Sequence, residues 1–507
     1  MNRSPLTSLA PDLIDLFAKV GFSADGIAMQ LGPEATEAMH RGEPAAVRYA
    51  TRDSSVLSGL IRAFILHDRL PTNELIELVG EALFASLIDA HVVEVDEHDS
   101  CRVVLDIRPH VIVGTDRWVF SDPDAAMTAQ APNPDHVLGV GAASLSLLQS
   151  TPVTPVGSVL DLGTGSGVQA LGQINCAEKI TATDIHPPAL DLAEATFAGA
   201  NAQVELLKGP WFEPVAGKKF DRIVANPPFV VGLPEVGHIY RDSGLNLDGA
   251  SELVVSQAPE HLASGGTAHL LAAWVHTAEQ SWQQRVASWL PDRGVAAWII
   301  ERDVADPALY VGTWLRDESV DPRSSEAAER TEAWLSHFAE HGVTGIGFGF
   351  VAIRDIGDEP SEILAEEMSQ TFTDPLGPEV EEYFLRTAWL RERSAAQIAD
   401  AQFLVRPGVA KEEVTLADTE AGVGFAPAAL RITRTDGPRW SHDVDKHLAS
   451  IIAGLHPAGL SLRETVGLYE MAQGLPEDCL VEDAITAVVD LIRHGLVLPA
   501  ELASEDQ

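Results

Sequence analysis

Cysteine is scarce: Cys101, Cys176 and Cys479 are the three in 507 residues, they lie far apart, and none belongs to a CxxC pair. An odd, scattered set supports neither a disulfide framework nor a zinc site and fits a reducing cytoplasm. No apolar run is long enough to span a bilayer. The opening MNRSPLTSLAPDLIDLF interrupts its apolar stretch with acids and lacks a small-residue cleavage site, so export is not expected either. Positive charge is also short: 34 Lys and Arg against 75 Asp and Glu leave a formal net charge of -41, roughly half of it beyond residue 310. Such a field repels polyanions over a Debye length of about 8 Å. Arg431, Arg434 and Arg439 are a thin basic set against it. Tight autonomous binding of RNA or DNA is therefore disfavoured.

What is present is an ordinary globular composition, 46% hydrophobic, in a chain too long for one core. Residues 1–120 read as helices followed by alternating hairpin strands, the order of a winged-helix-like substrate-recognition module. A connector rich in Pro, Asp and Ala, SDPDAAMTAQAPNPDH, follows. Over 130–355 strands alternate with helices: VGSVLDL, KITATDI, QVELLKG, FDRIVANPP, GGTAHLLAAWV, RGVAAWIIE and, after a helical insertion, GIGFGFVAIRD. That alternation predicts an α/β domain, a doubly wound, seven-stranded, mostly parallel sheet. Residues 356–507 read as a mostly helical module, with a winged-helix-like end and a plain helical bundle equally consistent.

The loop Asp161-Leu162-Gly163-Thr164-Gly165-Ser166-Gly167 leaves the first of these strands and enters a helix-compatible stretch. Glycines there permit a tight turn and close backbone approach of a nucleotide-like ligand. Asp184 ends the next strand, where a carboxylate can accept from both hydroxyls of a ribose. A turn glycine with a helix-capping Asp is the plainer alternative. In the loop after the third strand, Lys208-Gly209-Pro210-Trp211-Phe212, Pro210 offers no N–H, which leaves Trp211 or Ile185 to stack on an adenine.

Asn226-Pro227-Pro228-Phe229 ends the fourth strand. An amide oxygen and a rigid Pro-Pro backbone can accept both hydrogens of a planar NH2 group, and an aromatic ring can pack on its face. Asn226, Pro227 and Phe229 are thus the catalytic candidates, and Pro228 and Phe229, with Tyr240 and Arg241 of the following polar loop, the substrate-binding ones. NPP also occurs as a simple turn.

The spacing D-x-G-x-G-x-G resembles the class I S-adenosylmethionine-dependent methyltransferases over about residues 135–355, rather than the G-x-G-x-x-G of nicotinamide enzymes. The resemblance implies S-adenosyl-L-methionine as cofactor, held by Asp161, Gly163, Thr164, Gly165, Gly167, Asp184, Ile185, Trp211 and Asn226. In it, Asp161 orients the loop and accepts from the amino group of the cofactor's methionine. NPPFVVGLPEVG and RDSGLNLDG resemble the HemK-type protein-glutamine methyltransferases, with Phe229 where those usually carry Tyr. NPPF also resembles the ribosomal-RNA guanine-N2 and adenine-N6 enzymes. A cytoplasmic N-methyltransferase is implied, with no metal and no membrane partner. Its acceptor would be a glutamine amide in a protein of the translation apparatus, or alternatively an RNA base. A non-catalytic S-adenosylmethionine-binding regulator is the remaining reading.

Overall fold

A computed structural model describes residues 4–128, 135–233, 244–318, 320–372 and 374–503. They form two compact units, one of residues up to 148 with 153–367, the other of 149–152 with 368–507.

The first unit is built on one sheet, whose strands are β1 (Val156–Leu162), β2 (Ala177–Asp184), β3 (Val204–Lys208), β4 (Phe220–Ala225), β5 (Leu262–Thr277), β6 (Arg293–Ala305), β7 (Val343–Pro360) and β8 (Glu362–Glu367). Their order is β8-β6-β7-β5-β4-β1-β2-β3, with β7 antiparallel to both its neighbours and every other pairing parallel. Central strands such as β1 and β4 end in four consecutive buried residues, the run expected of strands covered on both faces. The sheet carries one strand beyond the seven expected. After β7 the chain crosses the start of β6 in a single residue, Ser361, whose N–H reaches the Asp292 carbonyl at 2.9 Å. It then runs parallel to β6 as β8, pinned by Trp298 Nε1 donating to Glu366 Oε1 at 2.6 Å.

Preceding the sheet, helix Val56–Phe64, strand Leu70–Pro71, helices Thr72–Val79 and Glu81–Asp89 and strands Val93–Val95 and Ser100–Val103 follow the order of a winged helix, with Ser100–Val103 the middle strand. This segment shares a core with the sheet's own helices. Leu9, Leu13 and Ile14 of helix Pro5–Val20 join Ala189, Leu192 and Ala195 of helix Pro187–Gly199 in one apolar cluster. The expected break near 120–130 therefore falls inside a compact unit, because the apolar stripe of the first helix is buried against that layer.

In the second unit, helices Gly377–Arg391, Lys446–Ala453, Leu462–Gln473 and Val481–Arg493 accompany a three-stranded antiparallel sheet of Val409–Ala417, Phe425–Arg434 and Ser441–Asp443. Strand Phe403–Val405 pairs with Val497–Pro499. Glu379 and Arg386 are buried in its core beside Arg434, and Gly495, in the left-handed region at φ 68°, lets the backbone pass against the two guanidinium groups. No helix among the described residues is long and apolar enough to cross a membrane.

Candidate functional site

Strand register brings the three sequence signals together. Leu162, the last residue of β1, lies opposite Ala225 on β4 and opposite Thr183 on β2. The chain therefore leaves the sheet at one level three times: into Gly163, into Asn226 and, one residue after Thr183, at Asp184. β1 is flanked by strands whose connections run to opposite sides, which opens a crevice at the carboxyl ends of the strands.

That crevice holds a cavity of about 440 Å³. Gly163, Thr164 and Gly165 line it, as do Asp184, Ile185, Pro210, Trp211, Asn226, Pro227 and Pro228. All three loop glycines have positive φ, and at Gly167 a Cβ would also sit 2.8 Å from the Phe197 ring. The loop is held from beneath: Thr164 N donates to Thr183 O at 2.8 Å, and Gly165 N to Asp184 Oδ2 at 2.9 Å. Asp184 Oδ1 accepts from His186 N at 2.8 Å. Burial raises the Asp184 carboxyl above its ordinary value, and those backbone N–H groups oppose the shift.

Asp161 takes a different place from the one expected. It is 1% exposed, stands behind the loop and is not among the residues lining the cavity. Its Oδ2 accepts from Thr164 Oγ1 at 2.7 Å and from Ala170 N at 3.0 Å, while Oδ1 is buried without a hydrogen-bond partner. Burial pushes this carboxyl up to about 6. An unfolded Asp titrates near 3.9, so between about pH 4 and 6 the native state keeps a proton that the unfolded chain has released. The group's contribution to stability is full below about pH 4, is lost as pH rises through about 6, and is constant beyond. Asp161→Asn removes this slope. Thermal midpoints of variant and wild type, compared from pH 4.5 to 7.5, are expected to shift in the variant's favour as pH rises. Curves that stay parallel would mean an ordinary carboxyl.

Phe229 is partly buried and packs against two apolar clusters, one containing Val224 and Leu271 and the other Val230, Val231 and Tyr310; it is absent from the cavity lining. The segment after it is fastened by Val231 N donating to Tyr310 Oη at 2.7 Å. Tyr240 and Arg241 lie outside the described residues.

The remaining wall is the segment 136–144, which sequence reasoning left unassigned. His136, Leu138 and Ser144 line the cavity. Ser166 Oγ donates to Leu138 O at 2.8 Å, tying the segment to the glycine loop. Asn226 Nδ2 donates to Ser144 Oγ at 3.4 Å, and Gln169 Nε2 to the Ser144 carbonyl at 3.0 Å. This arrangement leaves Asn226 Oδ1 available as an acceptor. Nothing in the letters AASLS distinguishes a site wall from the start of helix Ala142–Ser150.

The donor and acceptor set suits an adenosyl amino acid. A carboxylate sits between glycine loop and Ile185 for a ribose, Ile185 and Trp211 offer apolar surface for a base, and the glycine loop offers backbone at the other end. Among the described residues no group of three or more His, Cys, Asp or Glu is arranged to hold a metal ion.

Residues 138–286 match the family described as methyltransferase small domain, and 19–104 and 381–499 match two families described as domains of unknown function. The release factor glutamine methyltransferase of Bordetella pertussis is 32% identical over 214 residues, covering 39% of this chain and 73% of that protein. The ribosomal RNA small subunit methyltransferase C of Pasteurella multocida is 39% identical over 129 residues, 25% of this chain and 36% of that protein. The chain thus spans about three quarters of the first relative and about a third of the second. Among solved structures, a T. thermophilus 16S rRNA N2 methyltransferase in complex with AdoMet and guanosine aligns over 49% of this chain and 65% of that one, at 19% identity and a TM-score of 0.28.

Proposed function

Since this chain belongs to the S-adenosylmethionine-dependent methyltransferases with a methyltransferase small domain, what remains is the acceptor, and we propose that it is the side-chain amide of a glutamine in a protein. The observation that carries this reading is that Asn226, Pro227 and Pro228 line the same cavity as the glycine loop and Asp184. An acceptor NH2 placed there meets Asn226 Oδ1 and the Pro227 carbonyl, two oxygens that take its two hydrogens. The bound cofactor supplies an activated methyl group on a sulfonium sulfur. Accepting both N–H hydrogens turns the nitrogen lone pair out of conjugation and toward that group, and the proton displaced from the methylated nitrogen goes to water.

No strong base is needed. Holding the nucleophile in line at about 3 to 3.5 Å supplies on the order of 7–11 kcal/mol in favourable cases. Asp184 holds the ribose in this scheme, Ile185 and Trp211 flank the base, and Gly163, Thr164 and Gly165 approach the amino-acid end. Gly167 and Asp161 act from behind, the one by permitting close packing on Phe197 and the other by fixing the loop. Phe229 acts as a prop for the Pro-Pro turn as well as a neighbour of the acceptor.

Protein is favoured over nucleic acid as acceptor by the net charge of -41, which repels a polyanion, and by the length shared with the glutamine methyltransferase. An RNA base is the second reading, supported by the winged-helix order of residues 56–103 and by the likeness to ribosomal RNA methyltransferases. The test is transfer of labelled methyl from S-adenosylmethionine to a lysate of a strain lacking the gene. Protease is expected to release the label. Release by nuclease instead would establish the RNA reading, and cofactor binding with no incorporation into any fraction would leave a regulator.

A further inference from the structure

Between β6 and β7 the chain leaves the sheet for two helices, Pro307–Asp317 and Ser325–Glu340. Among the described residues, none of this insertion lines the cofactor cavity. Each helix carries two aromatic residues four apart on one face, Tyr310 and Trp314 on the first, Trp334 and Phe338 on the second. Arg330 ties the two together by donating to both carboxylate oxygens of Glu318, at 2.6 and 2.7 Å. Tyr310 is 2% exposed, its ring stacked at 5.7 Å on Phe348 of β7 and edged by Trp314 and Phe338. Its hydroxyl is therefore fixed relative to the sheet.

That hydroxyl meets the chain just past the acceptor motif. β4 ends at Ala225, and Asn226 to Val231 run on outside the ladder. Val231 is fully buried, where an unmade N–H is costly, and its N–H donates to Tyr310 Oη at 2.7 Å. The next residue, Gly232, meets the same insertion: a Cβ there would stand 3.0 Å from the Trp334 ring. Gly232 O accepts from Leu247 N at 2.9 Å, and beside Leu247 the Asn246 Oδ1 lies 2.8 Å from His337 Nε2. The segment bearing Asn226 and Pro227 is thus held at one end by β4 and at the other by the insertion.

We propose that the insertion positions the acceptor turn, with Tyr310 as the positioning residue. Apolar contact of Phe229 and Val230 sets how deep the segment lies but is not directional, whereas a hydrogen bond at 2.7 Å fixes one backbone atom. Fixing Val231 N fixes the span from Ala225, and with it where Asn226 Oδ1 and the Pro227 carbonyl stand relative to the transferred methyl. The proposal rests on the reading of those two oxygens as the acceptors for the substrate NH2.

The test is methyl transfer by the full-length protein, from labelled S-adenosylmethionine at saturation to a lysate of a strain lacking the gene. Tyr310→Phe, which deletes only the hydroxyl, is expected to lower the initial rate about tenfold or more, because ångström-scale misplacement of reacting groups costs up to about a hundredfold. Its Kd for S-adenosylhomocysteine is expected to stay within about twofold of wild type, since transition-state geometry and cofactor binding are separate quantities. Leu315→Ala is a larger cut in the same helix and apolar cluster. It is expected to lower the thermal midpoint at least as much as Tyr310→Phe while keeping the rate within about twofold. In an Asn226→Ala background, Tyr310→Phe is expected to cost clearly less than it does alone, because one of the two groups it positions is gone. A wild-type rate in Tyr310→Phe, an equal rate loss in Leu315→Ala, or the same fold loss with and without Asn226 would overturn the proposal and leave the acceptor-turn reading standing. Incorporation by wild type into no fraction would overturn that reading, and the proposal with it.

Discussion

Asn226→Ala is expected to lower methyl transfer by about a hundredfold or more, the scale on which one preorganised polar group at a reacting centre is felt, while S-adenosylhomocysteine binds within about threefold of wild type. The separation follows from which strands supply which groups. Asn226 leaves β4, whereas Asp184 leaves β2 and the glycine loop leaves β1. The loop is restrained by Thr183 O, Asp184 Oδ2 and Asp161 Oδ2, none of them on β4. Deleting the Asn226 amide thus removes an acceptor for the substrate's N–H and the partner of Ser144 Oγ, and leaves the ribose and loop contacts standing. A variant that kept more than a tenth of wild-type kcat, or that lost cofactor affinity along with kcat, would remove Asn226 from the acceptor role.

The second large effect lies in the other unit and concerns stability. Glu379 Oε1 accepts from Arg386 Nη2 at 2.6 Å, and its Oε2 lies 2.6 Å from Arg434 Nη1. The three side chains are 3%, 0% and 5% exposed, so Glu379 is the buried carboxylate facing two buried guanidinium groups, of which Arg434 also pairs with the exposed Asp436 at 2.7 Å. Arg386 also meets Glu382 at 2.5 Å and the Arg493 carbonyl at 3.0 Å, and Arg406 pairs with Glu382. Breaking such a set from one side strands buried charge, at a cost of about 3–5 kcal/mol. Glu379→Ala should show that loss in denaturant unfolding. Replacing Glu379, Arg386 and Arg434 together by methionine should regain much of it, because apolar groups of similar volume carry no desolvation penalty. A loss under about 1 kcal/mol for Glu379→Ala would mean that water or rearrangement relieves the stranded charges.

The sequence was most legible where the backbone itself constrains the letters. Three glycines with positive φ, a carboxylate closing the next strand and a Pro-Pro turn after the fourth leave compositional traces, and strand register carries all three to one cavity. The seven strand candidates of residues 130–355 are legible for the same reason, since strands covered on both faces read as apolar runs. Less legible were residues whose role depends on tertiary neighbours. Ser144 and Gln169 are common helix letters, and only folding of the 136–144 segment over the loop makes them partners. Asp161 looks like a ligand group in the motif yet is turned behind it by Thr164 and Ala170. SEILAEEMSQTF reads as a helix opening the mostly helical residues 356–507, yet its EILAEE is strand β8, because the stretch is short, acidic and half-covered and its pairing depends on one residue of crossover at Ser361. Likewise Val409–Ala417, with KEEV at its centre, lacks the apolar alternation of a strand and is identified by its ladder with Phe425–Arg434.

The eighth strand has a consequence for how copies of the protein meet. A sheet ending on β6 would present a long row of buried-type residues, Val295 to Ile300, with open backbone groups at its border. β8 occupies that row and substitutes a border of six residues, three of them Glu362, Glu366 and Glu367. Any second molecule aligning its own β8 there would bring glutamate against glutamate before a single inter-strand hydrogen bond formed. The acidity of the chain is thus spent locally as a guard against edge-to-edge aggregation.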